Sequence, residues 1–252
     1  DDNATYAVRL TNSVGQTASQ PLTLQQAIGT PGPPLVEANS TQVPRNGLVL
    51  WMDSKDLDAD GHADSLLVGD RVTSWTDKIT EKNATQSDLN KQPVKSSNGS
   101  VSFDGSDNLV ISDLNVTANH IFIVAKLRSS PLFGDLIKDE SDNNMIRFYH
   151  GLRISSNAND ANLFNFDTGS NRISAGEPNA VAGQLFVATI SRGSSLASDG
   201  HFAGLQIAVK GVHEFDGEIS EILFYDRFLQ NNERDAVERY LADKWSVTLH
   251  QE

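Results

Sequence analysis

His120-Ile-Phe-Ile-Val-Ala-Lys-Leu127 is the most apolar run of the chain, and its length and β-branched content make it a β-strand at the centre of a sheet. Toward the N-terminus, Gly47 to Met52 is a short apolar run and Val72 to Trp75 alternates. Ser100 to Phe103 leads into the turn Asp104-Gly105-Ser106-Asp107, which Leu109 to Ile111 follows. Toward the C-terminus come Leu136 to Lys138, Ile146 to His150, Leu163 to Asp167, Leu185 to Arg192, Leu205 to Val209 and Glu218 to Tyr225, joined by segments rich in Asn, Asp, Ser and Gly. A single helix is expected from Asn232 to Lys244, where Val237, Tyr240, Leu241 and Trp245 share one face while Glu233, Arg234 and Glu238 point elsewhere. No long βαβ alternation occurs, so a parallel sheet is excluded. The fold class is all-β, an antiparallel β-sandwich with one C-terminal α-helix.

Directly behind the first of these strands lies Asp56-Leu-Asp-Ala-Asp-Gly-His-Ala-Asp64. Counting Asp56 as the first position, carboxylates fall at 1, 3, 5 and 9 with glycine at 6, the spacing of a calcium loop. Gly61 supplies the sharp turn. Asp56, Asp58, Asp60 and Asp64 then face one hard cation, and the His62 carbonyl, not its imidazole, is a fifth donor. Carboxylates about 5 Å apart repel by roughly 3 kcal/mol per pair at an effective dielectric of 20, so a loop that crowds them needs a cation or opens. The twelfth position is Leu67 rather than the bidentate Glu of an EF-hand, which leaves Asp53, Asp70 or a distant carbonyl to complete the shell.

The 252 residues, 38% of them apolar, suffice for one large β-domain or two smaller ones. No apolar run is long enough for a membrane span, and no signal sequence opens the chain, which reads as mature or as part of a larger multidomain protein. The absence of cysteine removes disulfides, thiolate catalysis and thiolate-bound zinc, and the 6 histidines form no His-x-x-x-His pair. A net charge of −13 opposes nucleic-acid binding. It suits calcium and a secreted or cell-surface location, where millimolar calcium is available. Asn3, Asn39, Asn83, Asn98 and Asn115 each open an Asn-x-Ser/Thr triplet, a pattern that chance explains in a chain so rich in Asn and Ser.

At the N-terminus, residues 4 to 10 and 17 to 24 alternate on either side of a turn at Asn12 to Gly15, a hairpin spanning residues 1–28. Its Tyr6, Val8, Leu10, Asn12 and Gly15 resemble the end of a bacterial immunoglobulin-like module. Gly29-Thr-Pro-Gly-Pro-Pro34 marks a linker over 29–44, and a main domain is expected over 45–252.

Within that domain several segments, taken in order, resemble the laminin-G-like or concanavalin A-like jelly rolls of large bacterial surface proteins. They are Gly47-Leu-Val-Leu-Trp-Met-Asp53, the calcium loop, Val72-Thr-Ser-Trp-Thr-Asp-Lys78, Asn83-Ala-Thr-Gln86, Gln92-Pro93, Phe103-Asp-Gly-Ser-Asp107 and the run from Phe215 to Arg227. The resemblance implies two antiparallel sheets face to face, with ligand sites in rim loops or on the concave sheet. Glucanases of this superfamily carry Glu-x-Asp-x-x-Glu on one strand, and the nearest stretch here is Glu218-Ile-Ser-Glu221. On a regular strand residues three apart point to opposite faces, so these acids cannot flank one glycosidic bond. The chain is accordingly expected to be non-catalytic.

The expected function is that of a calcium-binding recognition module, lectin-like toward carbohydrate in adhesion or polysaccharide targeting, with a calcium-dependent peptide-binding adhesin domain or a structural spacer as alternatives. Trp51, Trp75 and Trp245 sit in strand or helix patterns and are expected in the core rather than as sugar platforms. Lys138-Asp-Glu-Ser-Asp-Asn-Asn144 offers a possible second metal or ligand site at Asp139, Asp142, Asn143 and Asn144, set against a plain acidic turn. Arg147, Tyr149, Arg153 and Asn157 are the candidate ligand-binding residues beyond it.

Overall fold

The computed structural model describes residues 43–129, 133–140, 145–149, 153–156, 164–165, 182–192, 200–208 and 214–249, and the short strands at 5–6, 9–12, 15–18 and 22–23. The chain divides into two compact units, Asp1–Ser40 and Thr41–Glu252. In the smaller unit, β1 (Thr5–Tyr6) pairs antiparallel with β4 (Leu22–Thr23), and β2 (Arg9–Asn12) with β3 (Gly15–Ala18), closing on the pair Asn12 and Gly15. The linker expected over 29–44 lies, up to residue 42, outside the described residues.

The larger unit runs β5 (Leu48–Asp53), β6 (Ser74–Thr76), β7 (Asn83–Thr85), β8 (Val94–Lys95), β9 (Val101–Asp104), β10 (Leu109–Thr117), β11 (His120–Leu127), β12 (Phe133–Lys138) and β13 (Met145–Tyr149). It continues with β14 (Arg153–Ser156), β15 (Phe164–Asn165), β16 (Leu185–Arg192), β17 (His201–Ile207), β18 (Asp216–Tyr225) and helix α1 (Asn231–Trp245). Two seven-stranded sheets result. Sheet I has the order β14-β13-β12-β17-β10-β7-β6; sheet II has β15-β16-β11-β18-β9-β8, with β5 beside β18. All pairings between these strands are antiparallel.

One apolar cluster joins the sheets. Trp75, Leu109, Ile111, Ile137, Ile146, Phe202 and Leu205 of sheet I meet Met52, Phe103, Ile121, Ile123, Phe186, Ile222 and Phe224 of sheet II, which makes the unit a β-sandwich. A second cluster covers the other face of sheet II, where Trp51, Phe122, Val124, Val187, Leu223 and Tyr225 pack against Val237, Leu241 and Trp245 of α1. Sheet II is therefore buried on both faces. That is why β11, between β16 and β18, is apolar at consecutive positions: Ile121, Ile123 and Ala125 enter the sandwich core while Phe122 and Val124 face the helix.

The long strand β18 organises the sheet. One edge pairs with β11 throughout, and the other is shared, Asp216 to Ile219 with β9 and Glu221 to Tyr225 with β5. At the changeover the register slips: Val124 pairs with Glu221 but Ala125 with Ile219, leaving Ser220 as the extra residue of a β-bulge. The Ser220 carbonyl accepts from the Ser54 amide at 3.0 Å and its hydroxyl lies 2.6 Å from that of Ser100, so the bulge keeps its polar groups paired. The bulge corrects the expectation that Glu218 and Glu221 point to opposite faces. Ile219 and Ile222 both enter the sandwich core, so Glu218 and Glu221 share the helix-facing side.

Helix α1 begins where the Gln230 amide donates to Glu233 Oε2 at 3.0 Å, a reciprocal N-terminal contact, while Arg227 forks onto both oxygens of Glu233 at 2.8 and 2.5 Å. It ends at Ser246 in the left-handed region, φ 56°, with the Val247 amide returning to the Ala242 carbonyl at 2.8 Å. Glu238 departs from the sequence reading: it is fully buried, and its Oε1 accepts from the Thr189 hydroxyl of β16 at 2.8 Å.

Candidate functional site

The acidic loop follows β5 and is tied down in its first turn. Leu57 is buried in the sandwich core, its carbonyl accepts from the Thr76 amide of β6 at 2.7 Å, and the Asp56 amide donates to the Asp53 carbonyl at 3.1 Å. Beyond this anchor the chain curls through two left-handed residues, Ala59 at φ 60° and Gly61 at φ 87°. The curl brings one carboxylate oxygen each from Asp56, Asp58 and Asp60 within 4.8 Å of one another, Asp56 buried and the other two exposed. Such a cluster can hold a metal ion, with water completing the shell on the exposed side.

The fourth predicted carboxylate, Asp64, does not join this cluster. Asp64 turns inward, its two oxygens 2.9 and 3.1 Å from the Leu57 amide and 3.6 Å from Lys95 Nζ. The His62 side chain is exposed, and its amide donates to Asp60 Oδ1 at 2.8 Å. Of the residues expected to complete the shell, Asp70 accepts from the Leu67 amide at 2.7 Å, and Asp53 belongs to a separate network.

That network is the main feature sequence reading missed. Glu221 is fully buried under α1. Its Oε1 accepts from the Trp51 indole at 2.7 Å and the Tyr240 hydroxyl at 3.3 Å, and its Oε2 from the Trp245 indole at 2.6 Å and Lys244 Nζ at 2.8 Å. Lys244 Nζ lies 2.7 Å from Asp53 Oδ2, the same oxygen that Lys78 Nζ meets at 2.9 Å. Lys78 then reaches Asp56 Oδ2 at 2.7 Å. A continuous chain of charges thus runs from the helix to the candidate metal cluster, and the Lys78 ammonium there offsets part of the carboxylate repulsion that a cation would relieve. Burial raises the pKa of Glu221, an effect its contact with Lys244 only partly offsets. Burial also acts to raise Asp53, but the ammonium groups of Lys244 and Lys78 outweigh it and hold that carboxyl below its usual range. Lys78 goes up despite its burial, because Asp56 and Asp53 favour its charged form. One signal was available in the sequence: an acid inside the run Glu221-Ile-Leu-Phe-Tyr225, which has no place in a two-sided apolar strand without partners. Glu218 instead makes the cross-strand pair with Lys126, at 2.5 Å.

The other predicted residues lie around β12 and β13. Asp139 is buried just past β12, whereas Asp142, Asn143, Asn144 and Asn157 lie outside the described residues. Arg147 is buried and makes a two-pronged pair with Asp135 on the neighbouring strand, Nη2 to Oδ2 at 3.0 Å and Nε to Oδ1. An arginine engaged in this way holds β12 to β13, and its fork is already filled. Tyr149 ends β13, in register with Phe133, and Arg153 begins β14, where its backbone pairs with Tyr149. The indoles of Trp51, Trp75 and Trp245 are all buried, at 7%, 0% and 5% exposure, as their positions in the sequence pattern require.

No family model matches the chain, and no curated protein matches it. Among solved structures, the chain is similar to a Trypanosoma rangeli sialidase in complex with sialic acid, at 10% identity and a TM-score of 0.42, over 80% of this chain and 34% of that one. The chain therefore spans about a third of the length of that enzyme. The matched structure is an enzyme, so the comparison lends no support to the expectation of a non-catalytic chain. At this level of similarity the match assigns no activity either.

Proposed function

We propose that the Thr41–Glu252 unit is a calcium-binding recognition module that works outside the cell, a concanavalin A-like jelly roll whose ligand is a carbohydrate on a cell surface or polysaccharide. The observation that carries this reading is the convergence of Asp56, Asp58 and Asp60 around the left-handed turn at Gly61. An all-oxygen donor set, partly exposed and free of imidazole and thiolate, suits a hard cation that keeps some of its water, and calcium tolerates an irregular shell better than magnesium. A cysteine-free chain with a net charge of −13 fits surroundings where calcium is millimolar. The test is calorimetric titration of chelator-stripped protein with calcium, followed by a glycan array read with calcium and with chelator. Saturable calcium binding together with calcium-dependent glycan binding supports the reading; no calcium heat overturns it.

One observation favours a second reading, a peptide-binding module on the same scaffold. The 3 tryptophans of the chain are all buried, which leaves no indole as a platform for a sugar ring. A peptide array read beside the glycan array separates the two, since calcium-dependent signal confined to peptides decides for the second.

A further inference from the structure

The buried charge network holds, besides its ion pairs, the three groups that amide formation between side chains requires. Lys244 Nζ is an amine 2.7 Å from Asp53 Oδ2, and the same nitrogen is 2.8 Å from Glu221 Oε2. Glu221 and Asp53 are direct cross-strand partners on β18 and β5. The β-bulge at Ser220 is what sets Glu221 on the face where the helix delivers Lys244. All three are shielded from water, with side-chain exposures of 17%, 7% and 0%, and the rings of Trp51, Tyr240 and Trp245 surround them. Both indoles and the Tyr240 hydroxyl fix the orientation of Glu221, so its carboxyl cannot swing away from the amine. Lys78 also reaches Asp53, but its second contact is Asp56 and not Glu221.

We propose that Lys244 Nζ and Asp53 Cγ condense spontaneously to an intramolecular amide, with Glu221 carrying the protons. The ammonium first gives a proton to Glu221, which passes it to one Asp53 oxygen, and the freed lone pair then attacks Cγ of the neutral carboxyl. Glu221 takes a second proton from the nitrogen and delivers it to the protonated oxygen, which departs as water. One C–N bond forms, one C–O bond breaks, and the amide nitrogen keeps a single hydrogen. No oxidant or co-reactant is needed. Holding reactants in contact in a dry site supplies the effective concentration that makes such a condensation fast without an external catalyst. Burial keeps the proton affinity of Glu221 above that of an ordinary carboxylate, as a carrier requires. The bond joins the first strand of the sandwich to its C-terminal helix and closes nearly the whole unit into a covalent loop.

The experiment is the intact mass of the folded, purified chain measured under denaturing conditions, with a peptide map of the same sample. The expected mass is lighter than the sequence mass by one water, and the expected map contains a branched peptide linking the Asp53 and Lys244 segments, with no tryptic cleavage after Lys244. Lys244→Arg, which keeps a cation beside Asp53, and Glu221→Gln should each show the full sequence mass while melting cooperatively. Should Glu221→Gln fail to fold, the wild-type map and Lys244→Arg still decide. The full sequence mass in the folded wild type overturns the proposal. So does a water loss that maps to a ring-closed Asp60-Gly61, Asp104-Gly105 or Asp216-Gly217 step, or a branch at Lys78.

Discussion

The Trp51 indole on β5 donates to Glu221 Oε1 on β18 at 2.7 Å, and this bond ties the start of the sandwich to the acid at its most buried point. Trp51→Phe keeps most of the ring volume and removes only the donor. A hydrogen bond to a buried carboxylate contributes about 1.5–3 kcal/mol. The predicted result is a loss of stability of that size, read as a lower urea midpoint with an unchanged denaturant slope; a midpoint that does not move would show that Glu221 is satisfied without Trp51.

The cation prediction concerns the two exposed carboxylates. Calcium at about 100 times its dissociation constant should stabilise the protein by roughly 2.7 kcal/mol, which for a domain of this size raises Tm by about 5–10 °C. Asp58→Asn and Asp60→Asn, both at exposed positions, should melt like the wild type in EDTA and lose most of the calcium response. Differential scanning calorimetry with and without calcium checks this, and a wild type that melts identically in calcium and EDTA would remove the loop from consideration as a metal site.

Lys78 links the loop to the helix network, so Lys78→Met should separate two effects. Without calcium, Asp53 and Asp56 lose a partner in a largely buried setting, with an expected destabilisation of about 2 kcal/mol. With calcium, the vacated oxygen of Asp56 no longer has an ammonium competing for it, and calcium affinity should rise several-fold. Paired melts and calorimetric titrations measure the two effects; a variant with unchanged affinity would mean that the ammonium and the cation do not compete.

Two titrating groups pull stability in opposite directions on acidification. Burial pushes the His120 imidazole down to about 4, so the folded state resists the proton that the unfolded chain accepts near 6.5. Its contribution is fully present above pH 6.5 and is lost as pH falls toward 4. Burial, and then the nearby Asp104 carboxylate, push Asp107 up to about 6, so the folded state gains a proton first and stability from this group rises as pH falls from 6 to 4. Each effect is on the order of 2 kcal/mol. In EDTA, Asp107→Asn should therefore lose stability on acidification more steeply than the wild type, and His120→Phe less steeply. Urea midpoints from pH 4 to pH 7 test both signs, and parallel curves for all three proteins would refute the assignment.

How much of this was legible in the sequence depends on burial symmetry. β11 and β16 begin and end where their apolar runs do, because a strand covered on both faces is written continuously. Helix α1 follows its spacing of Val237, Leu241 and Trp245. The short strands β7 and β8 were not expected, since two or three residues carry no periodicity. Asp56, Asp58 and Asp60 converge as alternate carboxylates should, but Asp64 does not, because the Leu57 amide and Lys95 hold it on the inner side of the loop. Glu221 was misplaced because counting faces by residue number assumes an unbroken strand, and the slip at Ser220 leaves no mark in the composition around it. Lys78 and Lys244 carried no assignment in the sequence for a related reason: their partners are distant in sequence and meet only after both sheets and the helix are assembled.

The slip at Ser220 also makes β18 a strand of two parities, one for the residues that meet β9 and the other for those that meet β5. Ser220 stands outside the pairing with β11, so deleting it would close the bulge and leave Ile222 and Phe224 in the sandwich, Leu223 and Tyr225 toward the helix and Glu221 beside its indoles. Removing or adding a residue elsewhere in the strand would instead turn over every side chain from that point on. In a lineage of such chains, therefore, single-residue insertions and deletions should collect in the loops and, within this strand, only at the bulge, where the count can change without turning the following side chains over.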